Sequence, residues 1–414
     1  MTKEILVISF FYQPYNTIGA VRVANFVKYL QKKGYKVHVV TAKRSIDLNL
    51  NIAKPINTYY IWWLNADKLI ALSRKYPKLF FLKQVARILN HLSIITTGHL
   101  PEGGVAIWRY FAYNKAKSLI KQNNINLIYS SSGPVSSTII GSKLAKRYKI
   151  LWIPEFRDLW SNNVYTNLKG YKKRRNIKVE LKMLKNASHI ITCTGKLQDQ
   201  LIKIHKIPTS IIYNGYDYLN KDEVLFKNKK LFISHFGSLY NGKRDPKILF
   251  KALRELIDAK IISHNNIEIN FFAGNIDFMN KLVDEFELST IVNLYAKVSR
   301  SESLEYQKKS NILLLLSWND KRDQALPAKM YEYIGMKRPI LASCYPGEIK
   351  DILSQTKTGV VINNVDEMKC FLINAIENYK KNPNINFIFD EDEIKKYSRD
   401  YQNTKLVKII ESFL

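Results

Sequence analysis

Residues 4–41 constrain the fold more than any other part of the chain. Glu4–Phe11 is rich in Ile, Val and Phe with little alternation, as a strand buried on both faces must be. The turn YQPYNTIG follows, then an apolar-periodic stretch from about Ala20 to Lys33 that closes on Gly34, then a second apolar strand at Tyr35–Thr41. Strand, helix and strand in that order open a doubly wound parallel sheet. Further strands are expected at Asn126–Ser130, Ile150–Glu155, His189–Thr194 and Thr209–Tyr213. The rhythm restarts with strands at Leu231–Phe236, Ile267–Ala273, Ile291–Tyr295, Ile312–Ser317, Pro339–Ala342 and Gly359–Ile362, and with helices at Pro246–Asp258 and 327–336. The expected fold is α/β, with two Rossmann-like doubly wound domains facing across a cleft. The first spans 1–215 and the second 225–395. A last helical segment, about Asp392 to Leu414, packs back on the first domain from about 396. A chain of 414 residues is too long for one ordinary core.

Charge separates the two halves. Residues 1–215 hold 35 Lys and Arg against 8 Asp and Glu, whereas 216–414 hold 30 against 27. Nearly all of the net charge of +30 therefore lies in the first half, which predicts that this domain faces a polyanion: an anionic membrane, nucleic acid or a phosphorylated substrate. No zinc finger, aromatic ribonucleoprotein motif or basic heptad helix accompanies the charge, so nucleic acid is not the expected partner. Cys193, Cys344 and Cys370 have no C-x-x-C spacing, which suggests neither a disulfide scaffold nor a zinc site and fits a reducing cytoplasm. No stretch reaches the ~20 apolar residues that a membrane span needs.

Between Tyr59 and Tyr110 the strand–helix alternation stops. The run YYIWWLNADKLIALSRKYPKLFFLKQVARILNHL is aromatic and basic at roughly helical spacing. It reads either as an inserted helical pair packing on its own domain or as an interfacial helix. In the second case its aromatics enter the headgroup region while Lys68, Arg74, Lys75, Lys78 and Lys83 meet anionic lipid. The basic cluster 169–175 could serve the same surface, or could simply be solvated.

The stretch KRDQALPAKMYEYIGMKRPILA, 321–342, sets Glu332, the single carboxylate of its expected helix, among five cations. Pro327 suits the first position of a helix, yet Leu326 stands where a capping Ser, Thr, Asp or Asn is expected. A helix end whose N–H groups lack a side-chain cap suits a phosphate, with Lys329 close enough to add a charge-assisted bond. Glu332 could accept from both hydroxyls of a ribose, or form an i,i+3 pair with Lys329 on a surface helix. Spacing alone leaves both readings open.

Several segments, in order along the chain, resemble glycosyltransferase family 4, whose members have the GT-B fold and use nucleotide sugars. These are VISFFYQPYNTIGAVRVANFVKYLQKKGYKVHVVT near the start, WIPEFRDLW at 152–160, YNGYD at 213–217, HFGSLYNGKRDP at 235–246, and LPAKMYEYIGMKRPILA. The second is similar to a branch that builds bacterial surface polysaccharides. The resemblance implies that Glu332 holds the donor ribose, as the second glutamate of the family's E-x7-E motif, whose first position is Gln324 here. It implies that Leu326, Pro327 and Lys329 border the diphosphate, that Lys243 or Arg244 neutralises it as it leaves, and that the Gly237–Ser238 turn allows close approach. Gly19 and Arg22 would meet the same phosphates from the first domain. Thr138 occupies a place where relatives often carry histidine, so Asp158 and Arg157 either compensate for it on the acceptor side or form a buried structural pair.

By this resemblance the chain is a retaining hexosyl- or N-acetylhexosaminyl-transferase that needs no metal and no cofactor. Its partners would be a nucleotide sugar (UDP being the default base), a lipid-linked glycan acceptor and an anionic membrane, at the inner face of the cell membrane. A nucleotide-sugar epimerase of the same fold is the alternative.

Overall fold

The computed structural model describes residues 3–15, 17–43, 57–63, 66–96, 105–165, 169–219, 230–240, 242–274, 276–383 and 388–414. The chain divides into two compact units, Met1–Tyr213 with Asn403–Leu414, and Asn214–Gln402.

The first unit is built on seven strands: β1 (Glu4–Ser9), β2 (Lys36–Ala42), β3 (Thr58–Ile61), β4 (Ile125–Ser131), β5 (Leu151–Phe156), β6 (Ile190–Thr192) and β7 (Thr209–Ile211). Their order is β3-β2-β1-β4-β5-β6-β7 and every pairing is parallel. Its helices are α1 (Ile18–Lys32), α2 (Ala66–Lys75), α3 (Phe81–Thr96), α4 (Val105–Gln122), α5 (Ser136–Tyr148), α6 (Gly170–Leu184) and α7 (Gly195–His205). In the second unit the strands are β8 (Leu231–Phe236), β9 (Ile267–Phe272), β10 (Val292–Tyr295), β11 (Ile312–Leu316), β12 (Ile340–Ser343) and β13 (Gly359–Val361). They form a parallel sheet of order β10-β9-β8-β11-β12-β13. Helices α8 (Lys247–Asp258), α9 (Ile276–Glu285), α10 (Arg300–Lys309), α11 (Ala328–Met336), α12 (Glu348–Gln355), α13 (Val365–Lys381) and α14 (Glu391–Lys396) accompany it, and α15 (Arg399–Glu411) carries the chain back into the first unit.

The unalternating hydrophobicity of β1 follows from burial on both sides. Ile5 and Val7 pack with Val23 and Val27 of α1 and with Leu406, Val407 and Ile410 of α15. Leu6 and Ile8, pointing the other way, pack with Trp108 and Ala112 of α4 and Ile140 and Leu144 of α5. Helix α1 starts where the Thr17 side chain accepts from the Ala20 N–H, and Gly34, at φ 87°, turns the chain after it.

Two expectations need correction. The stretch read as an insertion begins with a strand of the sheet, β3, paired in parallel with β2, before the helical pair α2 and α3. Its sequence, TYYI, is short and half-buried along its whole length, so no alternation marks it. The last helical segment is two helices. The Tyr216 N–H donates to the Tyr397 carbonyl, and the Arg399 N–H donates to the Tyr216 carbonyl, which draws 397–398 out of helical geometry.

Candidate functional site

In an open doubly wound sheet, ligands gather beyond the carboxyl ends of the strands where the order reverses, here between β8 and β11 in the second unit. The loop leaving β8 holds Gly237 at φ 122°, with open space where a side chain would stand, and the exposed Ser238. Arg244 donates from its guanidinium to the Ser238 carbonyl (3.2 Å) and lies 4.6 Å from the centre of the Tyr240 ring. Lys243 Nζ stands 5.2 Å from the ring centre of Trp318, in the loop that leaves β11, and Arg322 approaches the same ring at 5.5 Å. These two loops carry most of the residues that the sequence singled out for the donor. Gln324 and Leu326 are both nearly buried in the second of them.

Helix α11 follows directly. Pro327 is its N-cap rather than its first residue, one position later than expected, and no side chain caps that end. Glu332 Oε1 accepts from Lys329 Nζ (2.7 Å) and from Gln307 Nε2 of α10 (2.6 Å), and Gln307 is held in turn by Ser303 Oγ at 3.0 Å. The i,i+3 pair therefore exists, and Oε2 accepts no bond among the described residues. Gln307 was not anticipated, because its contact crosses 25 positions and no local pattern marks it.

Electrostatics place the cations near one another. Burial lowers the His235 pKa to about 4, the charges of Arg244 and Lys329 push in the same direction, and its backbone bonds oppose them. The ring is neutral; Nδ1 bonds the Leu314 carbonyl at 2.9 Å, and Nε2 has no hydrogen-bond partner among the described residues. Burial also pushes the Tyr333 phenol far up, and its hydroxyl accepts from the Phe236 N–H at 3.0 Å. At the ends of β8, β9 and β10, Phe236 stacks on Phe272, which stacks on Tyr295 and leans on Tyr306. The last two are partly exposed.

The first unit has its own reversal between β1 and β4, and there the arrangement departs from expectation. Arg22 does not face an open site. It is 7% exposed, its Nε bonds Glu155 Oε1 at 2.7 Å, and its two remaining nitrogens donate to the Tyr213 and Ile212 carbonyls at 2.8 and 2.7 Å. Glu155 Oε2 accepts from Ser131 at 2.6 Å. Burial works to raise the Glu155 pKa, but the Arg22 and Arg157 charges and the bonds from Ser131 and Arg22 outweigh it and hold the carboxyl below its usual range. Glu155, within WIPEFRDLW, has no role in the sequence expectations; a carboxylate inside a buried strand is the signal that marks it.

Gly19 is explained by close approach, since a Cβ there would run into the Arg157 guanidinium, which also covers Gly133. Arg157 donates to the Ser132 carbonyl from Nε (3.1 Å) and Nη2 (2.7 Å), and to the Gly133 carbonyl at 3.3 Å. It makes no ion pair with Asp158, so the buried Arg157–Asp158 pair considered above is not formed. Asp158 is exposed, yet nearby protein desolvates its carboxyl and raises its pKa, with Arg157 pulling the other way. Thr138 is fully buried in the first turn of α5, and its hydroxyl has no partner among the described residues.

Against the expectation that the chain has no Asp-x-Asp, a common cation-holding pattern, one stands at 390–392. Asp390 accepts from the Glu393 N–H as the cap of α14, and Glu391 pairs with Lys337 at 2.6 Å.

On α3, Phe81, Val85 and Ile88 recur at i, i+4 and i+7 and are all exposed, beside Phe80 at 71%. Lys78, Lys83 and Arg87 flank them, and Arg74 and Lys75 close α2. The side chain of Lys68 lies outside the described residues. In the 169–175 cluster Lys169, Lys172, Arg174 and Arg175 are exposed and Lys173 is half-buried. No helix among the described residues is long and apolar enough to cross a membrane.

Residues 19–218 match the family described as Glycosyltransferase Family 4. A search of curated proteins finds no match. Among solved structures, Anabaena HepE in complex with UDP aligns at 13% identity over 99% of this chain and 100% of that one, with a TM-score of 0.66. The lipopolysaccharide outer core galactosyltransferase WaaB aligns at 13% over 99% and 100%, with 0.63. A protein of Listeria monocytogenes described as a UDP-N-acetylglucosamine 2-epimerase aligns at 13% over 100% and 96%, with 0.56. At these identities the likeness shows the GT-B fold alone.

Proposed function

We propose, on the premise that residues 19–218 are a glycosyltransferase family 4 domain, that the chain is a retaining, metal-independent transferase. It moves a hexosyl or N-acetylhexosaminyl group from a UDP-sugar to a lipid-linked glycan during bacterial surface polysaccharide assembly, at the inner face of the cell membrane. One observation carries the donor side: cations from two loops and an N-terminus without a side-chain cap gather at the strand-order reversal of the second sheet, beside a carboxylate with one oxygen open.

In this reading Glu332 Oε2 takes the ribose hydroxyls, and the bonds from Lys329 and Gln307 to Oε1 hold the carboxylate in place. The half-exposed Tyr295 and Tyr306 offer the base a ring face. The diphosphate lies over the Gly237–Ser238 turn and the start of α11. As the bond from the anomeric carbon to the phosphate oxygen breaks, Arg244 and Lys243 stabilise the charge that develops on the phosphate. The acceptor oxygen then bonds the same face of the sugar, and its proton passes to the departing phosphate. On the first unit, Asp158 and Arg157 orient the acceptor.

Thermal unfolding with UDP, GDP, ADP and CMP, without added metal, tests the donor side. UDP at about 100 times its Kd stabilises the folded state by about 2.7 kcal/mol and raises Tm by roughly 5–10 °C. Glu332→Ala is expected to weaken UDP binding by about 10–100-fold, as loss of charged hydrogen bonds dictates. The reading fails if no nucleotide shifts the transition.

Membrane contact has a separate readout. The unmodified chain should float with phosphatidylcholine–phosphatidylglycerol vesicles, and Phe80→Ser with Phe81→Ser should leave most of it in the pellet. An epimerase of the same fold would bind UDP but stay in solution, so the pair of measurements separates it from the transferase.

A further inference from the structure

A cavity lies entirely within the first unit. It has a volume of about 380 Å³ and runs between α4 and α5, lined by Arg109, Tyr110, Tyr113, Ile139, Ile140 and Lys143. Its composition is two-sided. Arg109 and Lys143 bring two cations, and Arg147 adds a third by hydrogen-bonding to Tyr113. Ile139 and Ile140 give an apolar wall that continues into the core. Residues 103–154 hold eight Lys and Arg and no Asp or Glu, so neither helix supplies a carboxylate to neutralise the groove. Lys143 forms no ion pair among the described residues. At the mouth, Tyr110 is 66% exposed and meets the exposed Phe111 edge to face, and α3, with its apolar stripe, packs against α4.

A cation pair selects a phosphoryl group, and an isoleucine wall with aromatics at the mouth suits a hydrocarbon chain; a soluble sugar phosphate has no use for the second feature. We propose that the α4/α5 groove binds the phosphate head of a lipid, with Arg109 and Lys143 on the phosphate and the tail leaving past Tyr110 and Phe111. The inference deepens the transferase reading and rests on it only for the identity of the lipid as the acceptor's carrier. A bilayer phospholipid has the same chemistry and is the other source.

The test is calorimetric titration of the full chain with farnesyl diphosphate, a water-soluble lipid phosphate, against inorganic pyrophosphate and farnesol. Farnesyl diphosphate should bind saturably and at least ~10-fold more tightly than either fragment, and Arg109→Gln with Lys143→Gln should weaken it by ~10-fold or more. Lys146→Gln with Lys149→Gln, exposed lysines that do not line the groove, should leave it unchanged. Pyrophosphate binding as tightly as farnesyl diphosphate overturns the lipid assignment. Equal losses in the two variant pairs, or none in either, overturn the groove.

Dihexanoyl phosphatidylglycerol assigns the source. Tighter binding than farnesyl diphosphate makes it a membrane phospholipid, and weaker binding makes it the acceptor's carrier. UDP titrated into the same samples keeps the two proposals apart. UDP binding without farnesyl diphosphate binding rejects the groove alone, and the reverse rejects the donor site alone.

Discussion

Replacing Lys243 and Arg244 together with alanine will lower kcat by about 10²–10³-fold while changing KM for the donor far less. The expectation rests on how the two cations are held. Arg244 is fixed by the Ser238 carbonyl and the Tyr240 face, and Lys243 lies over Trp318, so both charges are in place before the phosphate begins to leave. A group that needs no reorganisation during the reaction stabilises developing charge more than charge already present. Lys243 is exposed and Arg244 half-exposed, so folding should hardly change, and an unchanged Tm would show that the loss is catalytic. Steady-state release of UDP from the sugar nucleotide is the measurement. A raised KM with kcat intact would mean that the pair only binds the ground state.

Glu155→Ala is expected to have the largest effect on stability, about 3–5 kcal/mol. The variant leaves the Arg22 guanidinium buried without its counter-charge and strips the Ser131 hydroxyl of its acceptor. Glu155→Gln keeps the shape and part of the bonding, so it should lose less. Arg22→Met with Glu155→Met removes both charges, yet it orphans the Ile212 and Tyr213 carbonyls that Arg22 serves and recovers only part of the loss. Urea unfolding of the three variants, read as midpoints at constant slope, checks the order. If all three lose the same amount, the charge pairing is not what matters.

Arg22 also shows where the sequence stops being legible. Residues 4–41 announce strand, helix and strand because each is set by its own periodicity. An arginine behind a glycine turn looks the same whether it faces a phosphate or a carboxylate 133 positions away. The helix end at Pro327 was readable because capping is local, although the boundary moved by one residue. Gln307, which shares Glu332 with Lys329, was not readable, and neither was the break at 397–398. Each of these is decided by a partner that only the folded chain brings close.

The return of α15 to the first unit has a consequence for synthesis. Leu406, Val407 and Ile410 belong to the same core as Ile5 and Val7 of the first strand. A ribosome adding about 5–20 residues per second takes roughly 10–40 s to make the second unit, some 190 residues long. Through that interval one face of the first sheet stays bare beside α1, while the second unit can already close its own core. The part made first is the part completed last, and its uncovered face is where a chaperone would be needed.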